Sequence, residues 1–257
     1  METYEYFLLI IGGFIAGIIN TLAGNGSAVT LTLMLMFGLP PHIANGSNRI
    51  GGFLQTLTAY FSFRKADDFE ALQKESSLLL IPTVIGSILG ALIAVDIDEN
   101  LLNRSIGWFM ILMLIIVISQ PKKWLRTDRV IKQKNKFSQI FLFFFIGLYA
   151  GFIQMGMGIL FLAALVLGTG YTIVQANIIK TIFCVLLIIP AMFIFIYNQQ
   201  VNWTCGLLLA LGQSTGALIA SKYAMKNENV ALWVRRLLIF MISIAIIKVF
   251  KLYEFIY

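Results

Sequence analysis

The sequence predicts an all-α polytopic membrane protein built as two inverted repeats of about five helices each, with short or broken helices at glycine loops. Three observations carry this. Of 257 residues, 59% are apolar and 12% charged, against about 25% charged in an ordinary soluble domain. The shortage is uneven: several stretches of roughly 18 to 25 residues hold almost no charge, each long enough to cross a hydrocarbon core of about 30 Å. The two halves of the chain also repeat one another. These features exclude a soluble enzyme, a disulfide scaffold and a disordered regulator.

The spans follow in order. Segment 1 is Tyr6–Leu22, segment 2 Ser27–Phe37, segment 3 Ile43–Phe63, segment 4 Ser77–Val95 and segment 5 Leu101–Ser119. After a basic linker, segment 6 is Phe137–Gln154, segment 7 Ile159–Leu167, segment 8 Ile173–Tyr197, segment 9 Trp203–Tyr223 and segment 10 Leu232–Phe250. Segments 2 and 7 are too short to span comfortably, since eleven helical residues reach roughly 16 Å, and read as half-helices or tilted short helices. Residues 1–119 form the first repeat, 120–136 the linker and 137–257 the second repeat. Met1–Glu5 has two acids and no base, which does not read as a cleavable signal.

Charge sets the orientation. The linker carries Lys122, Lys123, Arg126, Arg129, Lys132, Lys134 and Lys136 against one acid, Asp128, which places it in the cytoplasm. Five crossings per half would then leave both termini outside; re-entrant segments 2 and 7 would give four crossings and both termini inside. Five is favoured, and an odd number inverts the second copy. The formal charge of +7 reads as topology and headgroup contact, not as nucleic-acid binding. Cys184 and Cys205 lie in apolar segments and read as packing residues.

The repetition recurs in fixed order. Ala16-Gly17 answers Ala150-Gly151. Gly24-Asn25-Gly26 answers Gly156-Met157-Gly158, displaced by 132 residues, and Gly38, Ala44 and Asn45 answer Gly170, Ala176 and Asn177 at the same displacement. Gly90–Ala94 recurs as Gly216–Ala220, and Arg104 with Phe109–Ile111 mirrors Arg235 with Phe240–Ile242. Inverted repeats with broken helices are a transporter plan, with the substrate site near the midplane.

Two cations stand apart. All twelve acids fall in loops or at segment ends, yet Arg49 lies inside segment 3 and Lys180 inside segment 8. Such a residue costs about 2.5–3.5 kcal/mol to insert, and no acid at membrane depth offsets it. The missing charge comes from water, backbone carbonyls or a bound anion, and the anion is preferred; snorkelling to the interface is the alternative. Asn45, Asn48 and Arg49 share the spacing i, i+3, i+4 with Asn177, Lys180 and Thr181, so each triplet lines one helix face. An Arg fork and a mobile Lys suit an oxyanion. The loops Gly24, Asn25, Gly26, Ser27 and Gly156, Met157, Gly158 each lead into a short helix. There glycine permits close backbone approach and free N–H groups attract anions.

The run "GGFIAGIINTLAGNGSAVTLTLMLMFGLPPHIANGSNRI" resembles the first repeat of the TauE/SafE-type sulfite exporter family, and Ala150–Thr181 resembles its weaker second repeat. The resemblance covers nearly the whole chain. It implies a bacterial or archaeal inner-membrane carrier, often an exporter, of sulfite, organosulfonates and related small anions, with Gly24, Asn25, Gly26, Ser27, Gly156 and Gly158 forming the family's turns. Asn25 and Met157 stand where the family often has a further Gly, and no Pro follows Gly170-Tyr171.

The expected function is therefore secondary transport of a small anion by alternating access. The partners are that anion and the lipid bilayer, not nucleic acid; no cofactor, metal or catalytic residue is invoked. An anion channel uses the same cations. An intramembrane hydrolase would need Ser27 and His42, and a scaffold would show no flux.

Overall fold

The computed structural model describes residues 3–119, 136–223 and 243. Segment 10, most of the linker and the match to Arg235 and Phe240–Ile242 lie outside them. Among the described residues the chain is helical throughout, with α1 Thr3–Ala23, α2 Gly26–Met36, α3 Pro41–Phe63, α4 Phe69–Asp96 and α5 Glu99–Ser119 in the first half. The second half has α6 Lys136–Phe152, α7 Met157–Ala163 continuing as a π-helical stretch Ala164–Thr169, α8 Ile173–Tyr197 and α9 Trp203–Tyr223. Among the described residues, α1, α4, α5, α8 and α9 supply five helices long and apolar enough to cross a membrane. Their outer faces expose Phe7, Ile81, Trp108, Phe193 and Leu211, as a lipid-facing surface requires. The chain is a multi-pass membrane protein.

Local sequence explains the boundaries. Pro41 opens α3 at a position that needs no N–H donor. Gly38 closes α2 at φ +81°; the Gly38 and Leu39 N–H groups donate to the carbonyls of Leu35 and Met34, which satisfies the helix end. Thr172 caps α8: its hydroxyl accepts from the Gln175 N–H while the Gln175 side chain accepts from the Thr172 N–H. Helix α4 begins eight residues earlier than the apolar run suggests. Phe69, Leu72, Ser76 and Leu79 form a buried stripe there, with Glu70, Lys74 and Glu75 facing out. Charge counting cut that amphipathic turn away. Segment 7, expected as one short helix, changes to π winding at Ala164.

The packing follows the repetition. Helix α4 of the first half lies along α6 of the second, and α9 of the second lies along α1 of the first. Both seams are glycine seams. A methyl at Gly13 or Gly17 would overlap the backbone of Leu209 or Gln213, and one at Gly212 or Gly216 the backbone of Ile10 or Phe14. The other seam is built alike: Gly147 and Gly151 lie on Thr83 and Ser87, and Gly86 and Gly90 on Phe144 and Leu148. Small residues four apart let membrane helices approach backbone to backbone. The positive-φ glycines repeat as well: Gly24 matches Gly156 and Gly38 matches Gly170.

Helix α3 is 23 residues long yet polar, and it sits inside the bundle against α8 and α9. Its start meets the end of α8, where Gly46 lies on the Gln200 backbone. Its second half shares a cavity with the first half of α8. The two corresponding helices thus cross in opposite directions.

Candidate functional site

The two glycine loops meet at the centre. Gly24, at φ +75°, lies against the backbone of Gly158, and a side chain on either would overlap the other. Gly26 is pressed onto the Ala16 carbonyl, and Gly156, at φ +70°, leaves room for Met113 and the Asn25 side chain. The Ser27 hydroxyl donates to the Gln154 carbonyl at 3.2 Å. It does not bond His42, whose Nδ1 has no partner among the described residues, so these two residues do not form the pair a hydrolase would need.

On one side of this crossing lies a cavity. Asn20, Thr21, Gln55, Thr56, Phe63, Met157, Gly158, Lys180, Thr181 and Cys184 line it, with Ala59. It is narrow: about 20 Å³ can hold the centre of a water molecule, room for one or two waters. Lys180 is 6% exposed. Its Nζ donates to Asn177 Oδ1 at 2.8 Å and to the Asn20 carbonyl at 3.4 Å. Both partners are neutral, and an ammonium has three protons to give. Asn177 fixes its own amide by donating to the Ile173 carbonyl at 3.1 Å. Thr21, Thr56 and Thr181 each donate to the carbonyl four residues earlier in their helices.

Arg49 lies apart from this cavity. It is fully buried, so neither cation snorkels to the surface of the bundle. The guanidinium sits 4.4 Å from the centre of the Phe195 ring. Its two Nη groups donate to the carbonyls of Ala150 at 3.3 Å and Gly151 at 2.5 Å. The end of α6, which carries partial negative charge, therefore supplies the compensation for Arg49. Asn45 joins it, donating to the Phe152 carbonyl at 2.8 Å. Asn48 accepts from the Thr30 hydroxyl at 2.5 Å, and Ser47 accepts from the Asn202 N–H at 2.7 Å.

The residues expected at a site thus fall into two groups. Met157, Gly158, Lys180 and Thr181 border the cavity, with Asn177 and Gly24 directly behind. Asn25, Gly26, Ser27, Asn45, Asn48, Arg49 and Gly156 gather near the end of α6 and the start of α2. Sequence reasoning missed Asn20, Gln55 and Thr56. A signal existed: Gln55 and Thr56 stand seven residues after Asn48 and Arg49, so the polar stripe of α3 continues on the same face. Asn20 closes the repeated Ala-Gly motif and donates to Gln55 Oε1 at 2.6 Å. Among the described residues Cys184 and Cys205 are buried and in no disulfide, as packing residues would be.

Residues 9–249 match the family described as Sulfite exporter TauE/SafE. Curated relatives agree. A "Probable membrane transporter protein ORF9" of Sinorhizobium is 27% identical over 224 residues, covering 84% of this chain and 82% of the relative. A "Probable membrane transporter protein" of Haemophilus influenzae is 26% identical over 222 residues, covering 85% and 84%. The "Probable membrane transporter protein YfcA" of Escherichia coli K12 is 24% identical over 226 residues, covering 86% and 81%. No solved structure matches the chain.

Proposed function

The chain belongs to the sulfite exporter TauE/SafE family, and from that premise we propose that this membrane transporter is a secondary carrier of a small oxyanion such as sulfite or an organosulfonate, exporting it across the inner membrane. One observation carries the reading. Lys180 is a buried cation bordering a cavity, and among the described residues its partners are an amide oxygen and a backbone carbonyl. Its third N–H is left for an occupant, and an anion there supplies the charge that the polypeptide does not.

The chemistry is binding and release. Lys180 provides the charge. Asn20 and Gln55 provide amide groups, and the hydroxyls of Thr21, Thr56 and Thr181 turn their protons from helix carbonyls towards the substrate oxygens. The cavity admits water but is tight for three or four oxygens around a central atom, so loading requires the walls to part. The corresponding helices α3 and α8 cross in opposite directions, which supports inverted repeats that rock about the glycine crossing. An interior-negative potential favours exit of an anion by about 2.3 kcal/mol per charge per 100 mV, so export needs no coupling ion. A channel would use the same cation; the opposed α3 and α8, packed about the glycine crossing, favour a carrier.

The test is flux from proteoliposomes loaded in turn with sulfite, sulfate, thiosulfate, ethanesulfonate or acetate. A saturable efflux of one or more of these anions is expected, reduced at least tenfold by Lys180→Gln and partly restored by Lys180→Arg. Absence of flux for every anion, or undiminished flux in Lys180→Gln, overturns the reading.

A further inference from the structure

We propose that the carrier has a second oxyanion station, closed in this conformation, formed by Asn25, Asn48, Arg49 and Gln154 on the other side of the Gly24–Gly158 crossing. The inference rests on the carrier reading above and adds a site to it.

Two independent observations lead there. The first is a set of buried polar atoms with no hydrogen-bond partner among the described residues: both Asn25 side-chain atoms, Asn48 Nδ2, Arg49 Nε and Gln154 Oε1. All four residues are at most 2% exposed, and buried polar groups are ordinarily satisfied. They belong to one neighbourhood. Ser27 bonds the Gln154 backbone, Thr30 bonds both the Ser27 carbonyl and Asn48, and Gly52 lies against the Gln154 amide.

The second is the internal repeat. Adding 132 to Asn25, Asn48 and Arg49 gives Met157, Lys180 and Thr181, all of which line the cavity. Adding 132 to Phe63, on the cavity wall, gives Phe195, the ring under Arg49. The Ala-Gly motif, displaced by 134, carries Asn20 to Gln154. The orphaned atoms therefore sit at the counterparts of the cavity-lining residues. The unsatisfied donors are three, one of them on a cation, which is what an oxyanion accepts from.

The two places differ in one respect. Where the second half has Thr181 and open space, the first half has Arg49, whose guanidinium fills the gap and clasps the end of α6. Releasing the Ala150 and Gly151 carbonyls frees Arg49 to take the anion that Lys180 gives up. The anion then passes from one station to the other across the glycine crossing. Each station opens to its own face of the membrane: the Lys180 station towards the end of α3, the Arg49 station towards the end of α8 and residues 198–202.

Thiol labelling tests this, with ethanesulfonate as the transported probe and a membrane-impermeant maleimide applied from either face. In a Cys205→Ser background, the native Cys184 reports the open cavity. Asn48→Cys and, separately, Asn25→Cys report the closed station after Cys184→Ser and Cys205→Ser. The expected result is that Cys184 reacts from one face only and the introduced thiols from the opposite face only. Their rates should change several-fold in opposite directions when an ethanesulfonate gradient is applied. Labelling reads exposure whether or not a variant retains flux. Reaction of the introduced thiols from the Cys184 face, or no reaction of either in protein that runs as a folded species, overturns the second station. If neither variant folds, hydrogen–deuterium exchange of the wild type decides: exchange at residues 25–28 and 154–158 that is faster during turnover supports the proposal, and unchanged exchange overturns it. Failure of the carrier reading itself appears separately, as absence of wild-type flux.

Discussion

Gly24 and Gly158 touch backbone to backbone, so the loops that open α2 and α7 cross with no side chain between them. Gly24 also holds a φ of +75°, which an L side chain adopts at a cost of about 1–2 kcal/mol. Gly158→Ala is expected to force the loops apart, lowering flux at least tenfold and the melting temperature in detergent by several degrees. Gly38→Ala makes the comparison: Gly38 has φ +81° but no described residue lies within 4 Å of an added methyl, so backbone strain is what the substitution introduces. Equal damage from both substitutions would mean that the crossing contributes no more than an ordinary turn.

The glycine seams predict matched behaviour in the two halves. Gly17 packs on the Gln213 backbone and Gly151 on the Ser87 backbone. Alanine at either position forces two closely packed helices apart, and each is expected to destabilise by about 1–3 kcal/mol, as overpacking does. Gly168, with only Leu142 at 4.0 Å, should accept alanine with no loss. Equilibrium unfolding in mixed detergent measures all three, and a tolerant Gly151→Ala would contradict the seam.

Much of this architecture is legible in one dimension, because the bilayer turns hydropathy into span position and several motifs recur in the same order in both halves. Segments 8 and 9 carry the same bounds in sequence and structure, Ile173–Tyr197 and Trp203–Tyr223. The start of α4 was hidden because Glu70, Lys74 and Glu75 share their turns with buried Phe69 and Leu72. The pairing of α4 with α6 and of α1 with α9 was hidden for another reason: Gly13, Gly17, Gly147 and Gly151 announce close approach without naming the partner. The cations at Arg49 and Lys180 were visible, but their environments were not. Arg49 rests on carbonyls of residues 101 and 102 positions away in the chain, and no local pattern encodes that contact.

The cap of α8 positions Asn177 and Lys180 one to two turns later. Thr172→Ala removes the acceptor for the Gln175 N–H and is expected to cost about 1 kcal/mol of stability. Gln175→Ala loses only the weaker return bond, 3.4 Å long, and should cost less. Flux is the discriminating readout. The first turn of α8 orients the Lys180 side of the cavity, so Thr172→Ala should weaken apparent substrate affinity with a smaller effect on maximal rate. An unchanged affinity would show that α8 is held by its packing alone.

Thr181 stands where the other half has Arg49, and its smaller side chain leaves the space that forms the cavity. Thr181→Leu fills that space with apolar volume and removes one hydroxyl. The helix itself does not need that hydroxyl, since it donates only to the Asn177 carbonyl within its own helix. Folding should therefore be preserved or slightly improved, because filling a void restores packing contacts, while flux falls at least tenfold. Thr181→Ser keeps the hydroxyl in a smaller volume and should transport near the wild-type rate. Melting temperature and proteoliposome flux, measured together, separate a blocked cavity from a damaged fold. If Thr181→Leu transports as fast as the wild type, the route of the anion does not pass Lys180.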